Sequence, residues 1–479
     1  MTDQAKKEAL AFIDGHAQYF TDISDEIWGH AELSLKEFQS TALYVQKLRE
    51  LGFEVTEDLG GMKTSFCGAW GSGHPVIGIL GEFDALDGLS QKAGCTEPDP
   101  LVPGASGHGC GHNLLGAGSL AAAAAVKAYL QATGKPGTVI FYGCPGEEGG
   151  AGKAFLAREG VWKSLDAAVS WHPGSANQVT SGSNTSSIQV LYNYKGLAAH
   201  AAGNPHIGRS ALDAVELMNV GVQFLREHMT PDCRIHYAIT DTGGISPNVV
   251  QSKASVLYMV RADRVADAVA LLKRVDKIAE GAALMTETSC ERVFIDGTAD
   301  VLPNFTLEKL LFANMQATEL PSYTQEDWAL AEALKKTYPS SGIKGFDVCR
   351  DEAVREQIIA LSDNGEKAIN DFLCPHYSCE DHFPGSTDVG DVSWLTPTAQ
   401  ISAVCWPSGV PGHSWQVVTC GKSALAHKGM LYAGKVLAGA VIDLLNDPET
   451  LAAARAEFEK RSASGYVCPI EPDAVPTAI

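Results

Sequence analysis

Apolar and polar positions alternate along this chain in two different registers. Over the first ~50 residues the apolar positions recur at helical spacing, as in DEIWGHAELSLKEFQSTALYVQKLRELG, and the pattern stops at Gly52. Three short apolar runs then each end in polar, loop-forming residues. They are PVIGILGEFDAL (75–86), GTVIFYGCPGEEGG (137–150) and DAAVSWHPGS (166–175). Each reads as a buried strand entering a loop, and an Ala-rich helix over 117–133, closed by Gly134, separates the first two. Strands alternating with helices predict an α/β fold: a mixed, mostly parallel sheet with flanking helices. In such sheets the carboxyl ends of the strands carry the site.

The pattern changes near residue 186. SSIQVLYNYKGLAAHAA and SKASVLYMVRA alternate as half-exposed strands do, while GRSALDAVELMNVGVQFLREHM and VADAVALLKRVDKIAEGAALMT read as amphipathic helices. Strand, helix, strand, strand, helix predicts a small α+β domain over 186–297, inserted between the two halves, 1–185 and 298–479, of the larger domain. Residues 300–375 carry helical pattern and many charges but no site-like cluster, and Gly-, Asp- and His-rich loops return at 376–427.

Composition narrows the function classes. At 479 residues the chain has room for two or three structural units, and 45% apolar with 19% charged residues is ordinary for a packed globular protein. Acidic residues exceed basic ones, 57 against 36, for a formal charge of −21. No basic excess exists to neutralise phosphates, which argues against a nucleic-acid partner, and the same deficit argues against docking on anionic membranes. The N-terminus MTDQAKKEALAFIDGHAQYF has acids among its bases and does not read as a secretory signal, and no uninterrupted apolar run reaches membrane-spanning length. The expectation is a cytoplasmic protein whose twelve cysteines are mostly reduced and buried. Cys374 and Cys379, in CPHYSC, have no second close pair to complete a zinc knuckle.

The candidate chemistry sits in the loops. In GASGHGCGHNLLG, Cys110 and His112 can converge on one small region as thiolate and imidazole ligands. Alone, the pair better describes an inert buried cysteine beside a hydrogen-bonded histidine. Glu147 and Glu148 follow a predicted strand; adjacent side chains diverge, so one carboxylate can hold a metal while the other faces a water. His172 in SWHPG and His413 in GVPGHSWQ add two imidazoles. Cys110, His112, Glu148, His172 and His413 make five ligand-type side chains, each at a predicted loop, four of them on one sheet layer. Five ligands and a water suit two metals sharing one bridging group.

GHGCGHNLLG, CPGEEGG, WHP and KGLAAHAAGNPHIGRSALDA resemble the zinc aminoacylase/carboxypeptidase family of metallopeptidases, in its amidohydrolase branch, which cleaves N-acyl amino acids. The similarity runs nearly end to end and is weakest across 300–380. It implies a zinc-exopeptidase-like catalytic domain and a lid and dimerisation domain. It implies two divalent ions, zinc or manganese, on Cys110, His112, Glu148, His172 and His413, with Glu147 as general base. It further implies that His200 steadies the tetrahedral oxyanion, often from a neighbouring subunit, and that Asn248 and Arg261 bind the substrate carboxylate. The implied substrate is an N-acyl or N-aroyl amino acid, p-aminobenzoyl-glutamate before other acyl amino acids and dipeptides. The implied assembly is a homodimer, or a heteromer with a related A-type subunit.

One departure stands out. Many carboxypeptidase-type relatives have a histidine two residues before the position of Asp84; this chain has Glu82, expected to support the site rather than bind metal. His108 is expected to shape its loop, and His427 and Asp391 match motifs without a derivable role. Two other readings compete. A thiol hydrolase with Cys110 as nucleophile and His112 as base leaves Glu148, His172 and His413 unexplained. A non-catalytic binder of acyl amino acids has no need of Glu147.

Overall fold

The computed structural model describes residues 2–338 and 351–477. The chain forms two compact units. The first comprises Met1–Gly182, Leu302–Asp381 and Val392–Gly465; the second comprises Ser183–Val301, His382–Asp391 and Tyr466–Ile479.

The first unit is built on a seven-stranded mixed sheet. In spatial order its strands are Glu54–Glu57, Phe66–Ser72, Gly137–Cys144, Val76–Glu82, Ala167–Gly174, Thr398–Val404 and Gln178–Thr180. The four strands from Gly137–Cys144 to Thr398–Val404 run parallel, and the outer strands pair antiparallel. All three apolar runs that lead into candidate loops are central parallel strands, so their polar ends emerge along one edge of the sheet. That is the physical origin of the site.

The helix His112–Thr133 is buried along almost its whole length. Its alanine run gives high helix propensity and little bulk, so other helices approach closely. A Cβ on Gly434, in the helix Ala424–Asn446, would lie 3.0 Å from the Gly118 carbonyl. Both helices are long and apolar enough to cross a bilayer, but 89% and 72% of their most apolar windows are buried within the protein. The helix begins at His112, five residues before the sequence pattern places it, because Gly111 caps it at φ +75°. His112 is therefore a first-turn helical residue, not a loop residue, and gains a fixed backbone.

Residues 300–375, read as helical pattern without a site-like cluster, contribute structural helices. Phe305–Ala317 is started by Asn304, whose side chain accepts from Leu307 N–H, and buries Leu307, Leu311 and Met315 in the core. Gln325–Lys335 starts with a reciprocal Thr324–Asp327 capping box. The 339–350 part of this stretch lies outside the described residues.

The second unit has a four-stranded antiparallel sheet, ordered Arg234–Asp241, Lys253–Ala262, Ser186–Lys195, Ser289–Thr298, and the helices Ala211–Leu225 and Val265–Thr286. Alternation along Lys253–Ala262 buries Ala254, Val256, Tyr258, Val260 and Ala262, leaving Arg261 on the other face. The edge strand Ser289–Thr298 is missing from the pattern reading; Glu291 and Arg292 break up its apolar signal. Two short segments distant in sequence, His382–Asp391 and Tyr466–Ile479, also join this unit. Asp391 ties them in: buried, it accepts from Tyr466 Oη at 2.6 Å and Ala299 N–H at 3.0 Å.

Candidate metal-binding active site

The strand ends gather the candidate ligands of the first unit. His172, near the end of Ala167–Gly174, places Nδ1 2.7 Å from the Pro173 carbonyl oxygen. A carbonyl only accepts, so Nδ1 carries the proton and Nε2 presents its lone pair. That lone pair faces Cys110 Sγ at 3.5 Å. His112 is arranged alike: its Nδ1–H donates to Asp84 Oδ1 at 2.9 Å, and Nε2, fully buried, has no hydrogen-bond partner. A carboxylate behind a histidine with the other ring nitrogen left open is the arrangement that orients a metal-binding imidazole.

The Glu147–Glu148 loop is held from behind. Asp84 Oδ2 accepts from the Glu148 N–H at 2.9 Å and from Ser34 Oγ at 2.8 Å. Buried Glu37 accepts from Gly146 N–H and Leu35 N–H, both at 2.9 Å. Gly146 is left-handed at φ +67°, and a Cβ there would strike Leu35 Cδ2 at 2.8 Å, so the turn before Glu147 needs glycine. His413 adopts φ +57°, its N–H bonded to the Gly109 carbonyl at 2.8 Å, and its Nε2 lies 3.4 Å from Glu148 Oε2.

Three groups of metal-capable atoms result, the atoms of each within 4.8 Å of one another: Cys110, His112 and His172; Cys110, Glu148 and His413; and Glu82, His112 and Glu147. The first two contain all five predicted ligands and share Cys110. The third brings predicted base Glu147 alongside. The orphaned buried atoms His112 Nε2, Glu82 Oε2 and Glu148 Oε1 all belong to these groups, and a cation would satisfy them. The donor set thus fits divalent metal.

Electrostatics agree. Burial, and then the Glu148 charge, push the Cys110 thiol well above its ordinary value. Burial raises Glu148 and lowers His172. For His112, burial opposes charge, but Cys110 and Asp84 more than offset it and raise its pKa. A cation here would displace protons from thiol and imidazole. His112 works to lower the Cys110 thiol, but burial outweighs it, so the net activation that a nucleophilic thiol needs is absent.

Asp84, Glu37 and Lys153 are the contributors that sequence reasoning gives no role. Asp84 stands in a visible acidic strand end; Glu37 and Lys153 lie in unremarkable helical sequence and gain their roles only through burial. His108, also buried, places Nε2 3.0 Å from the Ile27 carbonyl oxygen and is pushed down to about 4 by burial, so it anchors its loop as a neutral ring. His427 Nε2 pairs with Asp25 at 2.9 Å. Cys374 packs with Ala176, Ile358 and Phe372, and neither it nor Cys379 joins a metal-capable group among the described residues.

The remaining predicted residues lie in the second unit. Ala199–His200 pairs with Val249–Val250, placing His200 and Asn248 on one small ribbon. His200 Nδ1 receives the N–H groups of Ala202 at 3.2 Å and Gly203 at 3.1 Å, so the ring proton sits on Nε2, free to donate outward. Arg261 lies on a different strand, with Nη1 3.2 Å from Ser386 Oγ.

A sheet with metal-capable side chains at its strand ends and a base-capable glutamate among them fits a metal-dependent amidohydrolase of the metallopeptidase class, and comparison with known proteins shows that class. The chain belongs to peptidase family M20/M25/M40, whose sequence profile matches residues 79–330. It is 43% identical over 470 residues to one of the subunits of p-aminobenzoyl-glutamate hydrolase from Escherichia coli (strain K12), covering 98% of each chain. It is 27% identical to the Xaa-Arg dipeptidase of Mus musculus, covering 95% of this chain and 92% of that one. An aminobenzoyl-glutamate utilization protein from Klebsiella pneumoniae shares the fold at a TM-score of 0.60 and 16% identity, over 90% of this chain and 97% of that one. So does a dinuclear metal-binding M20 peptidase from Bacillus subtilis, at a TM-score of 0.54 and 17% identity, over 90% and 99%.

Asp84→Asn is expected to weaken metal binding by ~10–100-fold without unfolding the protein, because an amide facing His112 Nδ1 favours the wrong tautomer. Competition titration of a metal-stripped sample reads this directly; unchanged affinity would mean that Asp84 does not orient the imidazole.

Proposed function

We propose that this protein hydrolyses the amide bond of N-acyl, in particular N-aroyl, amino acids, with p-aminobenzoyl-glutamate as the favoured substrate. The observation that carries this reading is the pair of donor groups sharing Cys110, with Glu147 among them. The substrate follows from the 43% identical relative named for it. Two divalent ions, zinc or manganese, held by Cys110, His112, Glu148, His172 and His413 would polarise the amide carbonyl and acidify a water. Glu147 accepts the proton of the attacking water and returns it to the leaving amine. His200 donates its Nε2–H to the developing oxyanion. Asn248 and Arg261 hold the substrate carboxylate, arginine through paired hydrogen bonds.

The second unit supports a dimer reading. Its edge strand Arg234–Asp241 exposes Tyr237 and Ile239, and the helix Ala211–Leu225 exposes Leu217, Val220 and Phe224. An open strand edge beside exposed apolar side chains suits pairing with a second copy, or with a related A-type subunit. The testing experiment is a hydrolysis screen of N-acyl amino acids, using metal-stripped protein resupplied with zinc or manganese separately. Release of p-aminobenzoate only with metal is expected. Equal turnover in chelator overturns the metal reading, and turnover confined to aliphatic acyl amino acids overturns the substrate.

A further inference from the structure

Glu82 is the acid of the three donor groups that has been given neither a ligand nor a base role. Its side chain is 2% exposed, and its two oxygens have different surroundings. Oε1 lies 2.7 Å from Lys153 Nζ, and the Lys153 side chain is fully buried. Oε2 has no hydrogen-bond partner and lies 3.4 Å from His112 Nε2, itself without one. His112 Nδ1 is engaged by Asp84, so Nε2 is the ring nitrogen turned toward Glu82. Two buried polar atoms without hydrogen-bond partners therefore face each other, and a cation between them would satisfy both.

The spacing matches that of metal ligands. Donor atoms ~2.0–2.2 Å from one tetrahedral ion lie roughly 3.3–3.6 Å apart. Cys110 Sγ to His172 Nε2 is 3.5 Å, and His413 Nε2 to Glu148 Oε2 is 3.4 Å. Glu82 Oε2 to His112 Nε2 falls in the same range. We propose that Glu82 is a sixth metal ligand, sharing an ion with His112, and that Lys153 is its fixed counter-charge. This reverses the sequence expectation that Glu82 only supports the site.

The inference rests on the metal reading above, and its test separates the two. Removing Glu82 alone takes the 2.7 Å carboxylate contact from buried Lys153 and risks misfolding, whereas neutralising both members of a buried pair is often close to neutral. Full-length Glu82→Gln/Lys153→Met is compared with wild type, both metal-stripped and titrated with zinc. Loss of even an outer partner costs ~10–100-fold in affinity, so one ion is expected to weaken at least ~10-fold and the other to hold. A folded double variant that binds both ions with wild-type affinity overturns the proposal. A crystal structure of zinc-loaded wild type decides independently of how the variants fold. Glu82 Oε2 within ~2.2 Å of an ion supports the assignment, and beyond ~3 Å overturns it. Two ions bound with Glu82 remote sinks only this proposal; no ion bound sinks the metal reading itself.

Discussion

Glu147→Gln is expected to reduce kcat by ~10²–10⁴-fold while leaving the fold and both metals in place. The substitution keeps the shape of the side chain and removes only its capacity to take a proton. Glu147 is not among the five assigned ligands, yet lies within 4.8 Å of Glu82 and His112 donor atoms. Its neighbour Glu148 places Oε2 3.4 Å from His413 Nε2, which fits the proposed division of the two carboxylates into base and ligand. Gly146 and Glu148 anchor the loop backbone through their own N–H groups on either side of Glu147. The decisive combination is kcat together with metal stoichiometry on one preparation. Wild-type turnover in Glu147→Gln would remove the proposed base; lost metal would show that Glu147 is a ligand instead.

The sequence carries the donors but not what holds them. Cys110, Glu148 and His413 stand beside glycines in turns and His172 lies near a strand end, where pattern marks them, and together with His112 they fall into two groups sharing Cys110. What pattern cannot carry is pairing across long separations. Glu37 reaches the loop at Gly146, Asp84 holds both His112 and the Glu148 backbone, and Lys153 meets Glu82; each is an ordinary charged residue until burial takes its solvent away. Even the element of His112 is misread for a local reason: a glycine at φ +75° lets the helix begin inside the motif. The second unit shows the same limit. Its alternating strands are legible, but its recruitment of His382–Asp391 depends on a buried Asp391–Tyr466 contact that no periodicity reports.

Cys110→Ser should have the larger structural consequence, because Cys110 belongs to both donor groups. A thiolate is a strong ligand for zinc, whereas an alcohol is a poor one, so both ions lose a shared donor at once. After dialysis the variant is expected to retain fewer than about one of two equivalents and to lose nearly all activity. Loss of activity alone decides nothing, since a cysteine nucleophile would also be silenced. Cys110→Asp separates the readings. A carboxylate can bridge two ions, so this variant should recover metal and part of the turnover; a thiol hydrolase would bind whatever metal it bound before and stay dead. Two full equivalents in Cys110→Ser would refute the bridging role. The structure already weighs against a nucleophile, because burial and the Glu148 charge raise the thiol pKa when no cation is bound. A cation held by these donors would reverse that balance, and Cys110 would then ionise as a ligand together with the imidazoles and carboxylate around it.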